Sequence, residues 1–288
     1  MMDCKLFALL IATCGAFVAR SPLPAIAPRR CAARAAPTAA ADVAVVLLAG
    51  GVGSRMKADR PKQRVARRPR LPPPRSHADV RRFLELAGKP VLYHSLDLFL
   101  GLEGVSSLVL VINEQYRGEF APYAADGRVT FADPGAERQD SVRSGLDACP
   151  ADAALVCIHD AARPLVTPEE IFKVIGDARD HGAAVLGVPV KATVKESDDG
   201  EFVLRTVDRS RLWEVHTPQV IKPALLREGF DKVAKEGLEV TDDVSIIEQL
   251  GLPVKLTLGE YTNLKVTTPD DMVVATQILD QRAAAAAN

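Results

Sequence analysis

The chain has 288 residues, 48% of them hydrophobic and 25% charged, with a net charge of −1. These are ordinary values for a soluble globular protein with room for one large domain or two modest ones. The charge is unevenly spread: residues 1–41 carry five basic groups against Asp3, residues 64–82 carry seven arginines against Asp79, and the remainder sums to −11. A body this acidic is a poor general binder of nucleic acid, so any polyanion must be met by a few well-placed cations. The five cysteines show no metal-ligand spacing, and Cys149 and Cys157 read as ordinary thiols rather than a disulfide.

In chain order, the first element is an address. Residues 6–19 form an apolar run of signal-peptide length behind Lys5, too short to cross a bilayer comfortably. From Arg20 to Ala41 the chain is rich in Ala, Pro and Arg and lacks acids, the composition of a plastid transit peptide. The tandem resembles the two-part presequence of algae with secondary plastids, with Ala16-Phe17 fitting the cleavage point. A plain secretory signal and a plain transit peptide are the competing readings. The expected mature body spans residues 42–282, in the plastid stroma and with no membrane segment.

The apolar runs Val43–Leu48, Leu108–Ile112, Leu155–Ile158 and Ala183–Val188 predict strands buried on both faces. Between them, Pro90–Leu100 and Asp140–Ala148 predict helices. Thr167-Pro168-Glu169-Glu170 opens another, with a capping-box pattern and Pro at its first position. Thr268-Pro269-Asp270-Asp271 starts the last, which runs through about Gln281 before a frayed tail over 283–288. Strand–helix alternation implies a single α/β domain, a Rossmann-like doubly wound and mostly parallel sheet with helices on both faces. Residues 191–209 predict a projecting β-arm: Thr193–Glu196 and Phe202–Val207 are β-prone, and Asp198-Asp199-Gly200 makes the turn. Such a hairpin is not stable alone and should pack on a second subunit. Arg64–Arg82, with Leu71-Pro72-Pro73-Pro74, can form neither core nor helix. It reads as a disordered surface insert or as translated intron.

The chemistry concentrates where strands end. Leu48-Ala49-Gly50-Gly51-Val52-Gly53-Ser54-Arg55-Met56, followed by Pro61-Lys62, joins small residues to two cations. Small residues let backbone N–H groups approach phosphates, and Arg55 and Lys62 can neutralise a triphosphate. A dinucleotide fingerprint fails because Met56 stands at its third glycine, and no Walker A Gly-Lys-Ser/Thr follows.

With Pro134–Val142, Ile158–Pro164, Lys191-Ala192-Thr193, Thr206–Arg209, Thr217-Pro218-Gln219, Thr241-Asp242-Asp243 and Asn263–Thr267 in the same order, the chain resembles the 2-C-methyl-D-erythritol 4-phosphate (MEP) cytidylyltransferases. The plastid form of plants is the nearest match, over about residues 43–281 apart from the insert at 64–82. The resemblance implies attack by the MEP phosphate on the α-phosphorus of CTP, with Arg55, Lys62 and Lys265 around that phosphorus. It implies CTP contacts from Ala49, Gly50, Gly51, Gly53, Gly135, Arg138, Ser141, Asp160 and Ala161. The polyol phosphate would meet Asp160, Arg163, Thr217, Thr241 and Asp242, together with Thr193 and Arg209 reaching across a homodimer. Mg²⁺ would be held mainly by the CTP phosphates, with no protein metal cage. A ribitol 5-phosphate cytidylyltransferase is the alternative within the chemistry; a catalytically dead nucleotide sensor is the alternative outside it.

Overall fold

The structure is a computed structural model that describes residues 42–50 and 85–287. In chain order, β1 (Val43–Leu48) is followed by a small antiparallel hairpin of β2 (Glu85–Leu86) and β3 (Lys89–Pro90). Next come α1 (Val91–Gly101), β4 (Val105–Val111), the short helices α2 (Glu114–Arg117) and α3 (Ala121–Ala124), β5 (Val129–Ala132) and α4 (Arg138–Asp147). The second half runs β6 (Leu155–Asp160), α5 (Pro168–His181), β7 (Ala183–Pro189), β8 (Lys195–Glu196), β9 (Arg205–Thr206) and β10 (Trp213–Ile221). It ends with α6 (Pro223–Glu236), α7 (Asp243–Gln249), β11 (Lys255–Leu258) and α8 (Pro269–Ala287).

Seven strands form one sheet in the order β11-β7-β10-β6-β1-β4-β5. Only β10 runs antiparallel to its neighbours, β6 and β7. The period of two along β1 explains the layering. Val43, Val45 and Leu47 face α1 and α5 through Leu92, Leu96, Phe99, Ile171 and Val174. Ala44, Val46 and Leu48 face α4, α6 and α7 through Val142, Leu146, Leu226, Phe230 and Ile246. Both faces are covered, as the unbroken apolar runs of β1, β4, β6 and β7 require.

The expected strands and helices are present, with bounds shifted by at most three residues except at the end of the last helix. Thr167 caps α5 as the sequence predicts, its hydroxyl accepting from Glu170 N at 3.3 Å while Glu170 returns a bond to Thr167 N. Five elements of the main fold lie outside that reading: β5, β10, β11, α6 and α7. The last helix continues to Ala287 rather than fraying near Gln281, because a run of alanines is the strongest helix former. The hairpin at 191–209 is present, but its ladder is only two residues a side. Asp199 shapes its turn by accepting from Glu201 N and Phe202 N. Cys149 and Cys157 are buried free thiols. The insert at 64–82, the segment at 1–41 and most of the first loop lie outside the described residues.

Helix α4, which carries Arg138 and Ser141, rests directly on β1. A Cβ on Gly145 would lie 2.4 Å from Val46 Cγ1 and 3.0 Å from Val111 Cγ2. Gly145→Ala is therefore predicted to lift this helix and to cost about 1–3 kcal/mol by overpacking, read as a lower urea midpoint in equilibrium unfolding.

Candidate active site

The sheet's chain order reverses between β1 and β6, and in open α/β sheets ligands bind beyond the strand ends at such a switch point. Leu48 and Asp160, the last residues of these strands, are register partners. The Ala49–Gly50 turn begins there. Ala49 N donates to Val111 O at 3.0 Å. Gly50 sits so close to Pro134 that a Cβ would fall 2.5 Å from Pro134 Cβ, so only glycine lets the turn meet the loop at residues 133–137. In that loop Gly135 N donates to Ser141 Oγ at 3.0 Å, and Ser141 Oγ donates to Glu137 O at 3.1 Å.

Asp160 is 8% exposed and gathers two cations. Lys265 Nζ donates to its Oδ2 at 2.6 Å and Arg138 Nε to its Oδ1 at 3.3 Å. Arg138 also grips Asp243 with both terminal nitrogens, at 2.7 and 2.8 Å, a bidentate fork. Burial drives the Asp160 carboxyl upward, but the charges of Arg138 and Lys265 outweigh it and hold the group well below the usual carboxylate range. Burial works against the Arg138 charge too, and the Asp243 and Asp160 carboxylates reverse that effect, holding its proton more tightly than usual.

Beneath this cluster lies a second layer of hydrogen bonds. Asp160 N donates to Thr217 Oγ1 at 3.1 Å, and that hydroxyl meets His159 Nδ1 at 3.1 Å. His159 Nε2 reaches Arg163 O at 3.1 Å. Asn263 Nδ2 donates to Thr217 O at 3.0 Å, Arg163 Nη1 to Asn263 O at 2.7 Å, and Val266 N to Ala162 O at 2.8 Å. His159, Thr217 and Asn263 are all buried. Thr217 therefore stands under Asp160 with its hydroxyl engaged.

Of the other expected site residues, Ala161 is fixed by its N–H to Leu48 O at 3.0 Å. Asp242 caps α7, accepting from Ser245 N at 3.0 Å, and takes a bond from Gln219 Nε2 at 3.1 Å. Thr241 is exposed beside it. Thr193 and Arg209 lie exposed at the base of the β-arm, where Arg209 donates to Lys191 O and Lys191 Nζ sits 3.2 Å from the Tyr261 ring centroid. Gly51, Gly53, Arg55 and Lys62 lie outside the described residues. Sequence reasoning missed Asp243, Gln219, His159 and Asn263. Each stands inside a quoted motif, but their roles depend on β10 returning antiparallel beside β6, which no local pattern announces. Among the described residues no group of three or more His, Cys, Asp or Glu could hold a metal ion.

Burial pushes His159 down to about 4, so its ring is neutral at pH 7. As pH falls from the unfolded value of about 6.5 towards 4, the unfolded chain takes up a proton that the folded chain refuses, and stability is lost in that window. Asp160, whose folded value is depressed, adds a loss in the same direction at lower pH. Urea unfolding from pH 7 to 4 should lose about 3 kcal/mol more in the native chain than in a His159→Gln variant.

The comparisons with known proteins agree with this fold. The family model described as IspD, 2-C-methyl-D-erythritol 4-phosphate cytidylyltransferase, matches residues 75–281. The chloroplastic enzyme of that name from Oryza sativa is 48% identical over 243 residues, 84% of this chain and 75% of its own. The Geobacillus thermodenitrificans enzyme is 40% identical, over 83% of this chain and 97% of its own. Among solved structures, the 4-diphosphocytidyl-2C-methyl-D-erythritol synthase of Anaerococcus prevotii aligns with a TM-score of 0.68 at 25% identity, covering 83% of this chain and 98% of its own. The Thermus thermophilus cytidylyltransferase aligns with a TM-score of 0.60 at 29% identity, covering 81% and 97%. The chain thus belongs to the 2-C-methyl-D-erythritol 4-phosphate cytidylyltransferase family.

Proposed function

We propose that this chain transfers CMP from CTP to 2-C-methyl-D-erythritol 4-phosphate, giving 4-diphosphocytidyl-2-C-methyl-D-erythritol and pyrophosphate. Family membership supports the reaction. The observation that carries it is the meeting of Lys265 with the ionised Asp160 at 2.6 Å, at the mouth of the β1–β6 switch point. A phosphate oxygen of MEP bonds to the α-phosphorus of CTP as that phosphorus releases the oxygen bridging to the β-phosphate, and the electron pair leaves with pyrophosphate. Such a transfer needs positioning and cationic stabilisation rather than a covalent intermediate.

In this reading Arg55, Lys62 and Lys265 supply the cations. Ala49, Gly50, Gly51, Gly53, Gly135, Arg138, Ser141, Asp160 and Ala161 frame the nucleotide. Asp160 and Arg163 face the polyol, with Thr241 and Asp242 at its rim. Mg²⁺ would be held mainly by the CTP phosphates and water, since among the described residues no group of three or more His, Cys, Asp or Glu forms a protein cage. When bound, it neutralises phosphate charge.

Thr193 and Arg209 would bind the MEP phosphate in a neighbouring subunit, making the enzyme a homodimer. The arm tip supports this: Phe202, Val203 and Leu204 are 58–75% exposed, an apolar cluster that a lone chain leaves uncovered. Localisation in the plastid stroma is supported by the composition of residues 1–41 and by the chloroplastic Oryza relative. The relatives favour MEP over ribitol 5-phosphate.

Pyrophosphate release by protein beginning near Ala41, with CTP and Mg²⁺, tests the reading. Turnover should be fast with MEP, and about 10²–10³-fold slower in Lys265→Ala. Faster turnover of ribitol 5-phosphate would overturn the choice of substrate.

A further inference from the structure

We propose that Arg282, near the end of α8, is a positioning residue: it clasps the loop after β6 to the loop that carries Lys265, and so keeps that lysine against Asp160. The inference rests on the cytidyl-transfer reading and assigns work to a helix that supplies none of the expected site residues.

Two loops meet beside Asp160. Residues 161–167 run from β6 to α5, and residues 259–268 run from β11 to α8. Neither forms a helix or a strand, so no ladder fixes them and their relative position depends on cross-links. Glu170 supplies one. Its Oε2 caps α5 through Thr167 N at 3.0 Å, and its Oε1 accepts Glu260 N at 2.8 Å. That buried carboxylate sets where the second loop begins. Asn263 N then closes a turn by donating to Glu260 O at 3.2 Å.

Helix α8 docks on both loops. Leu165 and Val266 share an apolar cluster with Ala275, and Met272, Ile278 and Leu279 pack against it. Arg282 adds the polar tie. Its Nη1 donates to Leu165 O at 2.7 Å, on the first loop, and its Nη2 to Thr262 Oγ1 at 3.2 Å, on the second. The Thr262 hydroxyl donates to Glu260 Oε2 at 2.9 Å, which leaves its lone pairs to face the guanidinium. A planar guanidinium offers two donors at fixed spacing to acceptors on separate segments, whereas an ammonium is a single point. Without this fork the apolar contact still seats α8, but the turn that leads to Lys265 loses its tie to the Asp160 side. In a site that works by placing charges, a shift of about 1 Å can cost on the order of 100-fold.

Two measurements test the clasp. Amide hydrogen exchange needs no substrate: Glu260 and Val266 should exchange slowly in the native chain and about 10-fold faster in Arg282→Met, which keeps the apolar stem and removes the fork. In pyrophosphate-release kinetics, Arg282→Met should lower kcat by about 10-fold to 100-fold and leave KM for CTP within about two-fold. Thr262→Val removes the acceptor and should also lower kcat, while Thr262→Ser, which keeps the hydroxyl, should stay near native. Because donor and acceptor act as one unit, the double variant Arg282→Met, Thr262→Val should be no slower than Arg282→Met alone. Native exchange or native kcat in Arg282→Met, a loss confined to KM, or losses that multiply in the double variant would each contradict the proposal. If Arg282→Met does not fold, the valine and serine variants of Thr262 decide. A native chain inactive on CTP and MEP, with exchange still faster in Arg282→Met, would support the clasp and sink the functional reading alone.

Discussion

A carboxylate removed from water must be compensated, because an uncompensated buried charge costs several kcal/mol. Asp160 is such a group, and its compensation comes from far along the chain: Arg138 lies 22 residues before it and Lys265 lies 105 after. Helix α4, strand β6 and the segment after β11 therefore meet at one point. Arg138 is tied again to Asp243 at the start of α7. Four separate segments thus converge on a charge cluster at the end of the sheet.

In the proposed reaction that convergence has a use: a lysine drawn to a fixed anion would be held where a phosphate could take it over with little reorganisation, and preorganised cations are what phosphoryl-type transfers demand. The neutral layer of His159, Thr217 and Asn263 pins the backbone on which both members of the pair are mounted. A glycine at position 50 is a packing necessity, because a Cβ there would fall 2.5 Å from Pro134 Cβ.

The sequence made the buried strands legible because a run such as Val43–Leu48 has only one stable setting, a sheet covered on both sides. Helix starts with a matched cap, Thr167 and Glu170, were equally plain. β10 was not, because its buried half contains His216, Thr217, Pro218 and Gln219, polar and turn-prone residues that obscure its period. It is the one antiparallel strand, and its polar stretch brings Thr217 under Asp160. Motif resemblance singled out Asp160, Arg138, Lys265 and Thr217, and the fold brings all four to one sheet end. Gln219 was hidden too: its amide links the α7 N-terminus to β10, a purely tertiary arrangement.

The central claim is that two cations keep one buried carboxylate ionised. A ¹³C NMR titration of the Asp160 carboxyl reads this directly. The account predicts that the group stays ionised well below the ordinary aspartate value of about 4, and that its midpoint rises when Lys265 is replaced by Met. Titration near or above the ordinary value in the native chain would contradict it.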